Sequence, residues 1–206
     1  MNPIITASLN NSCNYKEYRE TISRLLSEGK PTGNDHSESL VQYTLLNQKR
    51  MKRLEKTLTI PKEIQQKADT IREKYIWLVI SEGWCGDSAQ LVPIMDKVAS
   101  ASPNIELRFV FRDENEELMD MFLTDGGRSI PKLIVLDLQF NVRGSWGPRP
   151  RGAAELMHKR KLETGHIDDA AKTELQMWYL HDKGFSTQEE LVTFMLEIEK
   201  SAGNGN

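Results

Sequence analysis

The sequence predicts an α/β fold in which a central mixed sheet is flanked by helices. Its middle third alternates strand-like apolar runs with helical segments in the order βαβαββ, and helical patterns fill both flanks. A chain of 206 residues with 38% hydrophobic and 28% charged residues has the composition of a globular protein with a substantial core. We expect one domain spanning residues 1–206, with an N-terminal helical extension (1–74), a core (75–147) and a helical C-terminal part (148–206).

The N-terminal extension carries three predicted helices. The first ends at Gly29, which is followed by a Lys-Pro-Thr-Gly turn. Apolar residues at helical spacing predict a second helix from Ser37 to Thr57, with basic residues between them. Pro61 suits the first turn of a third helix, which runs toward Arg72.

The core begins with Tyr75–Ser81, a short run of apolar, β-branched and aromatic residues that is typical of a buried strand. A helix and a second strand follow it, and a strand–helix–strand unit predicts a parallel pair. The later elements end in a hairpin, and the C-terminal part is helical again. The predicted core elements are a helix 87–100, a strand 105–111, a helix 115–123 and strands 132–138 and 142–146.

Composition also limits location and partners. Two cysteines cannot form a disulfide framework, and the first 15 residues lack the basic start and apolar stretch of a signal peptide, so a cytoplasmic location is expected. A net charge of −3 provides no general attraction to nucleic acid or to an anionic membrane, and no apolar run is long enough to span a bilayer. The four histidines show no metal-ligand spacing, so no metal is expected.

Cys85 lies where the first strand gives way to a helix. Unpaired N–H groups and the helix dipole stabilise a thiolate at such a position, and the thiolate is the nucleophile in thiol exchange. Asp87, in the first helical turn, places a negative charge near the sulfur and acts against this effect. The net direction of the pKa shift is therefore left open by the sequence.

Several features in this region, in order and with fitting spacing, resemble the thioredoxin-like proteins. The resemblance covers about Tyr75 to Gly147, a little over a third of the chain. It rests on the start of a Trp-Cys-Gly-Pro-Cys motif at Trp84-Cys85-Gly86, a helix-kinking proline at Pro93, a cis-proline segment at Ile130-Pro131, and a glycine near the active surface at Gly147.

The resemblance implies a thioredoxin-like fold in which Cys85 is the nucleophile. A cis bond before Pro131 would place the backbone of Ile130 beside the sulfur, with its N–H and C=O free to pair with an extended peptide. Arg128, just before this segment, is expected near the site, where it would favour an anionic thiolate or the carboxylate of a thiol substrate. Substrate contacts are then expected from Trp84, Gly86, Asp87, Arg128, Ile130 and Pro131.

The chain also departs from the thioredoxin pattern. Ser88 stands where the second, resolving cysteine would be, and Asp87 replaces the proline between the two. Val79 occupies a position at which many thioredoxins bury an aspartate. Ser88 either fills a helix position or donates a hydrogen bond to the thiolate, and both readings stay open. Cys13 is interpreted as incidental, with a role as a distal resolving thiol less favoured.

The leading functional hypothesis is therefore thiol–disulfide exchange through one cysteine, with Cys85 and Ser88 as the catalytic pair. The partner would be a disulfide- or thiol-containing protein or a small thiol, and the mixed disulfide would be resolved by a substrate thiol or a molecule such as glutathione. No resident cofactor is expected. The alternative is a non-catalytic module that docks a peptide or protein along Ile130-Pro131. An iron–sulfur carrier is disfavoured because the Gly-Asp after Cys85 does not resemble the Gly-Phe of monothiol glutaredoxins.

Overall fold

A computed structural model describes residues 2–203 of the chain. Its helices and strands follow one another in the order α1 (Pro3–Asn10), α2 (Tyr15–Ser27), α3 (Glu38–Thr57), α4 (Lys62–Ala68), β1 (Tyr75–Ser81), α5 (Gly86–Ala99), β2 (Ile105–Phe111), α6 (Glu116–Asp120), β3 (Lys132–Leu136), β4 (Val142–Trp146), α7 (Arg151–Thr164), α8 (Asp169–Asp182) and α9 (Phe185–Gly203). A single 3-10 turn, Arg112–Glu114, connects β2 to α6.

The strands form one mixed sheet with the order β2-β1-β3-β4. β1 and β2 are parallel, with Tyr75 opposite Ile105, and α5 forms the crossover between them. β3 pairs antiparallel with β1, and the hairpin partner β4 pairs antiparallel with β3. The predicted α/β architecture, a mixed sheet flanked by helices, is confirmed.

Both faces of the sheet are covered by helices, and every residue of β1 and β3 is buried. Because side chains alternate along a strand, β1 contributes to two separate apolar clusters. Trp77 and Val79 point into the larger cluster with α5, α3 and α9, whereas Leu78 and Ile80 point into a smaller one with α1 and α6. This double burial explains why β1 reads as a continuous apolar run.

The helices flanking the core pack directly against it. α3 and α9 both contact α5, and residues from α2, α3, α7, α8 and α9 contribute to the larger apolar cluster. The N- and C-terminal parts of the chain therefore share one core with the sheet. Within residues 2–203, no helix combines the length and the apolar character that crossing a bilayer demands.

Element boundaries agree with the sequence prediction except where a turn forms early. β3 ends at Leu136 because the Asp137 carboxylate accepts hydrogen bonds from the N–H groups of Gln139 and Asn141, which closes the hairpin. α4 ends at Ala68 and α6 ends at Asp120, each shorter than predicted. The start of the chain was not predicted to be helical, but α1 forms there.

Two local features hold α1 in place. The Asn2 side chain caps the helix by accepting hydrogen bonds from the N–H groups of Ile4 and Ile5, and Pro3 occupies the first turn. Ile5, only 1% exposed, packs into the smaller apolar cluster. An eight-residue helix is marginal alone, so this tertiary contact supplies much of its stability.

Cys13 lies at the outer edge of the sheet. Its N–H donates to the carbonyl of Phe109, and its carbonyl accepts from the N–H of Phe109, so it extends the sheet beyond β2. This places it two strand spacings, about 10 Å, from β1. Cys85 instead follows the carboxyl end of β1 and belongs to the other apolar cluster, and both cysteines are free thiols.

Gly147 closes the junction between β4 and the C-terminal helices. Its φ of +108° lies in a region that L side chains rarely adopt, and a Cβ there would lie 2.5 Å from the carbonyl oxygen of Pro131. Gly165 also has a positive φ, +78°, but a Cβ there would meet nothing within 4 Å. Substitutions at these two glycines therefore distinguish the cost of backbone strain from the cost of a steric clash.

We predict that Gly147→Ala lowers the free energy of unfolding by about 2–4 kcal/mol, the sum of left-handed backbone strain and a backbone clash. Gly165→Ala, which meets only the strain, is expected to cost about 1 kcal/mol. Urea denaturation of the two variants measures the difference. Equal losses would mean that the approach of Gly147 to Pro131 does not constrain the fold.

Candidate thiol site

Cys85 is the N-cap residue of α5. Its backbone is extended, with φ −73° and ψ 121°, and Sγ accepts a hydrogen bond from the N–H of Ser88 at 3.4 Å. On its other side Sγ donates to the carbonyl oxygen of Ile130 at 3.3 Å. The peptide bond between Ile130 and Pro131 is cis. The sulfur therefore lies between the start of a helix and the cis-proline segment.

Burial controls the protonation of this thiol. Cys85 is 9% exposed and packs with Ile80 and Ile130 in the smaller apolar cluster. Desolvation raises the pKa of Cys85 to about 11, and the negative charge of Asp87 adds to the rise, while Ser88 and backbone N–H groups act in the opposite direction. Burial thus outweighs the helix N-terminus, and Cys85 is a protonated thiol at neutral pH.

The C-terminal part of the chain supplies the partners of Asp87. This carboxylate is 8% exposed; it pairs with Nη2 of Arg149 at 2.6 Å and accepts a hydrogen bond from the hydroxyl of Tyr179 at 2.8 Å. Burial of the phenol, followed by the charge of Asp87, raises the pKa of Tyr179 well above its ordinary value. A buried carboxylate needs such partners, so α8 and the loop before α7 belong to the site.

The N-terminal extension covers the other side of α5. Asn47 on α3 donates from Nδ2 to the carbonyl of Gly83 at 3.0 Å, and Arg50 donates from Nη1 to Oδ1 of Asn47 at 2.9 Å. A Cβ placed on Gly86 would lie 3.7 Å from Nη1 of Arg50 and 3.6 Å from Nε2 of Gln176 on α8. Helices α3 and α8 therefore meet over the first residue of α5.

A buried carboxyl group lies three residues before the cysteine. Glu82 is fully buried; its Oε1 accepts from the N–H of Asp113 at 3.0 Å, and its Oε2 accepts from the hydroxyl of Thr32. Thr32 Oγ1 also accepts from the N–H of Gly83 at 2.9 Å, which ties the α2–α3 loop to the site. Desolvation raises the pKa of Glu82 to about 7. The sequence analysis noted only that Val79 replaces the aspartate that many thioredoxins bury, and it missed this carboxyl group.

The remaining residues expected at the site occupy distinct environments. Ser88 is 1% exposed, and its hydroxyl oxygen has no hydrogen-bond partner among the described residues. Trp84 is half-buried, with the guanidinium carbon of Arg112 4.8 Å from its ring centroid, a cation–π contact. Pro131 is buried, as is Ile130. These residues surround the sulfur with apolar and weakly polar groups.

Arg128, which was expected near the thiol, forms ion pairs with two carboxylates of α6. Its Nε donates to Asp120 at 2.7 Å and its Nη1 donates to Glu116 at 2.8 Å, and all three side chains are exposed. These two carboxylates raise its pKa further. Glu116 and Asp120, at the two ends of α6, therefore pair with the charge that was expected to act on Cys85.

The arrangement can form a covalent bond through Sγ. Between residues 2 and 203, no three histidine, cysteine, aspartate or glutamate side chains cluster as a metal would require. The carbonyl of Ile130 accepts the hydrogen bond of the thiol, and the N–H of Ser88 is placed to stabilise the thiolate. These groups suit a thiol that is deprotonated only when it reacts.

Fold and site together define a thioredoxin-like protein. The family model described as thioredoxin matches residues 33–170, about two thirds of the chain, and the protein belongs to that family. The match extends beyond the core into α3 and the first residues of α8.

Two solved structures share the fold. One is a protein of unknown function from Pseudomonas aeruginosa, with a TM-score of 0.57 and 20% identity, covering 92% of this chain and 99% of that one. The other is an HIV epitope scaffold with a TM-score of 0.56, 20% identity and the same coverage. No protein of curated function matches the chain significantly. At this identity the likeness establishes the fold alone.

We predict that Glu82→Gln removes a pH dependence of stability. The folded protein holds the Glu82 proton up to about pH 7, whereas the unfolded chain releases it near pH 4.5, so the contribution is complete below pH 4.5 and is lost as pH rises through 7. The stability of wild type relative to the variant should fall by roughly 3 kcal/mol between pH 4.5 and 8.

Urea denaturation at pH 4.5, 6 and 8 measures this change, with the exposed Glu20→Gln as the matched control. Asp96, whose pKa burial raises to about 6, is present in all three proteins and cancels from the comparison. Parallel pH profiles for wild type and Glu82→Gln would show that Glu82 ionises normally in the folded state.

We predict that Asp87→Asn accelerates alkylation of Cys85. Removing this negative charge, and freeing Arg149, lowers the pKa of Cys85, and each unit of decrease raises the alkylation rate about threefold after the loss of intrinsic nucleophilicity. The rate with iodoacetamide at pH 8, resolved for Cys85 by peptide mass mapping, measures this. Asp169→Asn, an equal charge change on the exposed surface of α8, is the control. An unchanged rate would assign the raised pKa to burial alone.

Proposed function

We propose that this protein performs thiol–disulfide exchange through the single cysteine Cys85. In the first step the Cys85 thiolate attacks one sulfur of a disulfide R–S–S–R, which forms a Cys85–S–S–R bond and releases RS⁻. The released thiolate takes up the proton lost by Cys85, so protein thiol and disulfide become mixed disulfide and free thiol. A second thiol, from the substrate or from a molecule such as glutathione, attacks the mixed disulfide and restores Cys85.

The observation that carries this proposal is the placement of Sγ. It lies at the N-terminus of α5, within reach of the Ser88 N–H and beside the cis-proline segment. Ser88 occupies the position of the second cysteine that resolves the mixed disulfide in dithiol thioredoxins, and Cys13 lies at the outer edge of β2. The mixed disulfide is therefore resolved by a thiol from outside the chain.

The raised pKa sets a requirement on the substrate. With a pKa of about 11, the thiolate fraction at neutral pH is small, and the greater nucleophilicity of a basic thiolate recovers only part of the loss. Free Cys85 should therefore react about 10- to 30-fold more slowly than an ordinary cysteine. A productive substrate offsets this deficit by binding next to the sulfur and by aligning with it.

Peptide docking along the cis-proline segment without chemistry fits the site less well. Ile130 and Pro131 are both buried, and the Ile130 carbonyl already accepts the hydrogen bond from Sγ. An extended peptide would need that carbonyl and an open edge. The site instead presents an enclosed thiol, which favours a small partner.

We predict that incubation with oxidised glutathione yields one glutathione adduct at Cys85, and that added thiol removes it. Intact-mass analysis with peptide mapping measures the adduct. Cys85→Ser should abolish it, whereas Cys13→Ser should retain it, because Cys13 lies at the far edge of the sheet. An adduct on Cys13 alone, or none on the wild type, would falsify the exchange proposal.

A further inference from the structure

An arginine on α3 lacks a carboxylate partner beside the thiol. Arg50 is half-buried next to Gly86, and its one hydrogen bond to a described residue runs to the neutral Asn47. Among the residues that the structure describes, no carboxylate oxygen lies within 4.0 Å of its guanidinium. Desolvation, followed by repulsion from Arg53, lowers the pKa of Arg50. A partly buried cation with most of its donors unused is a ready site for an anion.

The charges around Cys85 leave a positive excess. Asp87 is the buried carboxylate here, and it is already satisfied by Arg149 and Tyr179. Asp87 also attracts Arg50 across a longer distance, but this one carboxylate is shared with Arg149. With Cys85 protonated, two arginines and one carboxylate leave a net positive charge at the start of α5, where the helix dipole adds partial positive charge. An incoming anion would restore neutrality.

A second polar group in the same place is also unused. The hydroxyl of Ser88 is buried without a partner, and its own backbone N–H is bonded to Sγ. Most buried hydroxyl groups are paired, so this one, close enough to Sγ to lower the pKa of Cys85, is free to donate to the thiolate or to a bound ligand. This observation is independent of Arg50, because Ser88 lies within α5 and Arg50 lies on α3.

The cover over the site limits the size of that ligand. Helices α3 and α8 meet over Gly86 through Arg50 and Gln176, and Cys85 keeps only 9% of its surface exposed. A disulfide on the surface of a folded protein would have to displace more of this cover than a small disulfide, so the enclosure favours a small one.

We propose that Arg50, with the start of α5, binds the anionic group of a low-molecular-weight thiol or disulfide whose sulfur exchanges with Cys85. The inference rests on the proposed exchange function and adds a substrate class to it. The bond changes are those already given: the Cys85–S–S–R bond forms, the R–S–S–R bond breaks, and the released RS⁻ takes the proton. Arg50 is here a substrate-binding residue that holds the carboxylate or equivalent anion of R.

Three small disulfides of similar length test the charge requirement: 3,3′-dithiodipropionate, which is anionic; 2-hydroxyethyl disulfide, which is neutral; and cystamine, which is cationic. The rate of adduct formation at Cys85 is measured for each by mass spectrometry. Comparing each rate between wild type and variant cancels the intrinsic reactivity of the reagent. We expect Arg50→Gln to lower the ratio of the anionic to the neutral rate about tenfold, the loss of one charged hydrogen bond.

The matched control is Lys52→Gln, which removes the same charge from α3 two residues away, on an exposed side of the helix. It should leave the rate ratio within twofold of wild type. Arg50→Lys keeps the charge and should recover part of the preference for the anionic disulfide, which a merely structural role would not explain. Urea denaturation verifies that each variant is folded.

The outcomes separate the two proposals. If adducts form at Cys85 but Arg50→Gln and Lys52→Gln give the same rate ratio, the anion subsite is overturned and the exchange function stands. If folded wild type forms no adduct with any of the three disulfides, both proposals fail. A loss of preference confined to Arg50→Gln, with partial recovery in Arg50→Lys, supports the subsite. Replacing 3,3′-dithiodipropionate with a phosphate-bearing disulfide then distinguishes carboxylate from phosphate recognition.

Discussion

The buried carboxylate of Asp87 is the constraint on which the site depends. An ionised group that is 8% exposed is tolerated only when charged and hydrogen-bonded partners replace water. Arg149 and Tyr179 provide that replacement, so the C-terminal helices are fixed to the start of α5. The same carboxylate disfavours a negative charge on Cys85. One residue thus joins the tail to the core and adds to the burial that keeps the thiol protonated.

The N-terminal extension is attached to the same point by a different chemistry. Glu82, immediately after β1, is bound by Thr32 from the α2–α3 loop, and Asn47 on α3 binds the carbonyl of Gly83. These contacts are hydrogen bonds without an ion pair, and burial raises the pKa of Glu82 to about 7. The strand-to-helix loop that carries the cysteine is therefore held from both flanks of the chain. The flanking helices are therefore components of the site.

The sequence was informative where the determinants are local. Tyr75–Ser81 reads as a buried strand from its composition, and Cys85 and Pro131 are identified by short motifs at fixed spacing. Pairings between distant residues were not predictable, because nothing local links Asp87 to Tyr179, 92 residues away. Arg128 likewise has partners that its position in the sequence did not indicate. Proximity to Pro131 in sequence suggested a role at the thiol, but the carboxylates of α6 hold it on the surface.

The two backbone hydrogen bonds that join Cys13 to Phe109 affect how the protein can associate with itself. An exposed strand edge offers unpaired N–H and C=O groups to the strand of another molecule, and proteins commonly cover such edges. Here the segment before α2 occupies the middle of the β2 edge, and Arg108 reinforces it by donating to Ser12. A strand from a second copy would have to displace this segment before it could extend the sheet. The short N-terminal stretch thereby protects the β2 edge against pairing with a strand of another molecule.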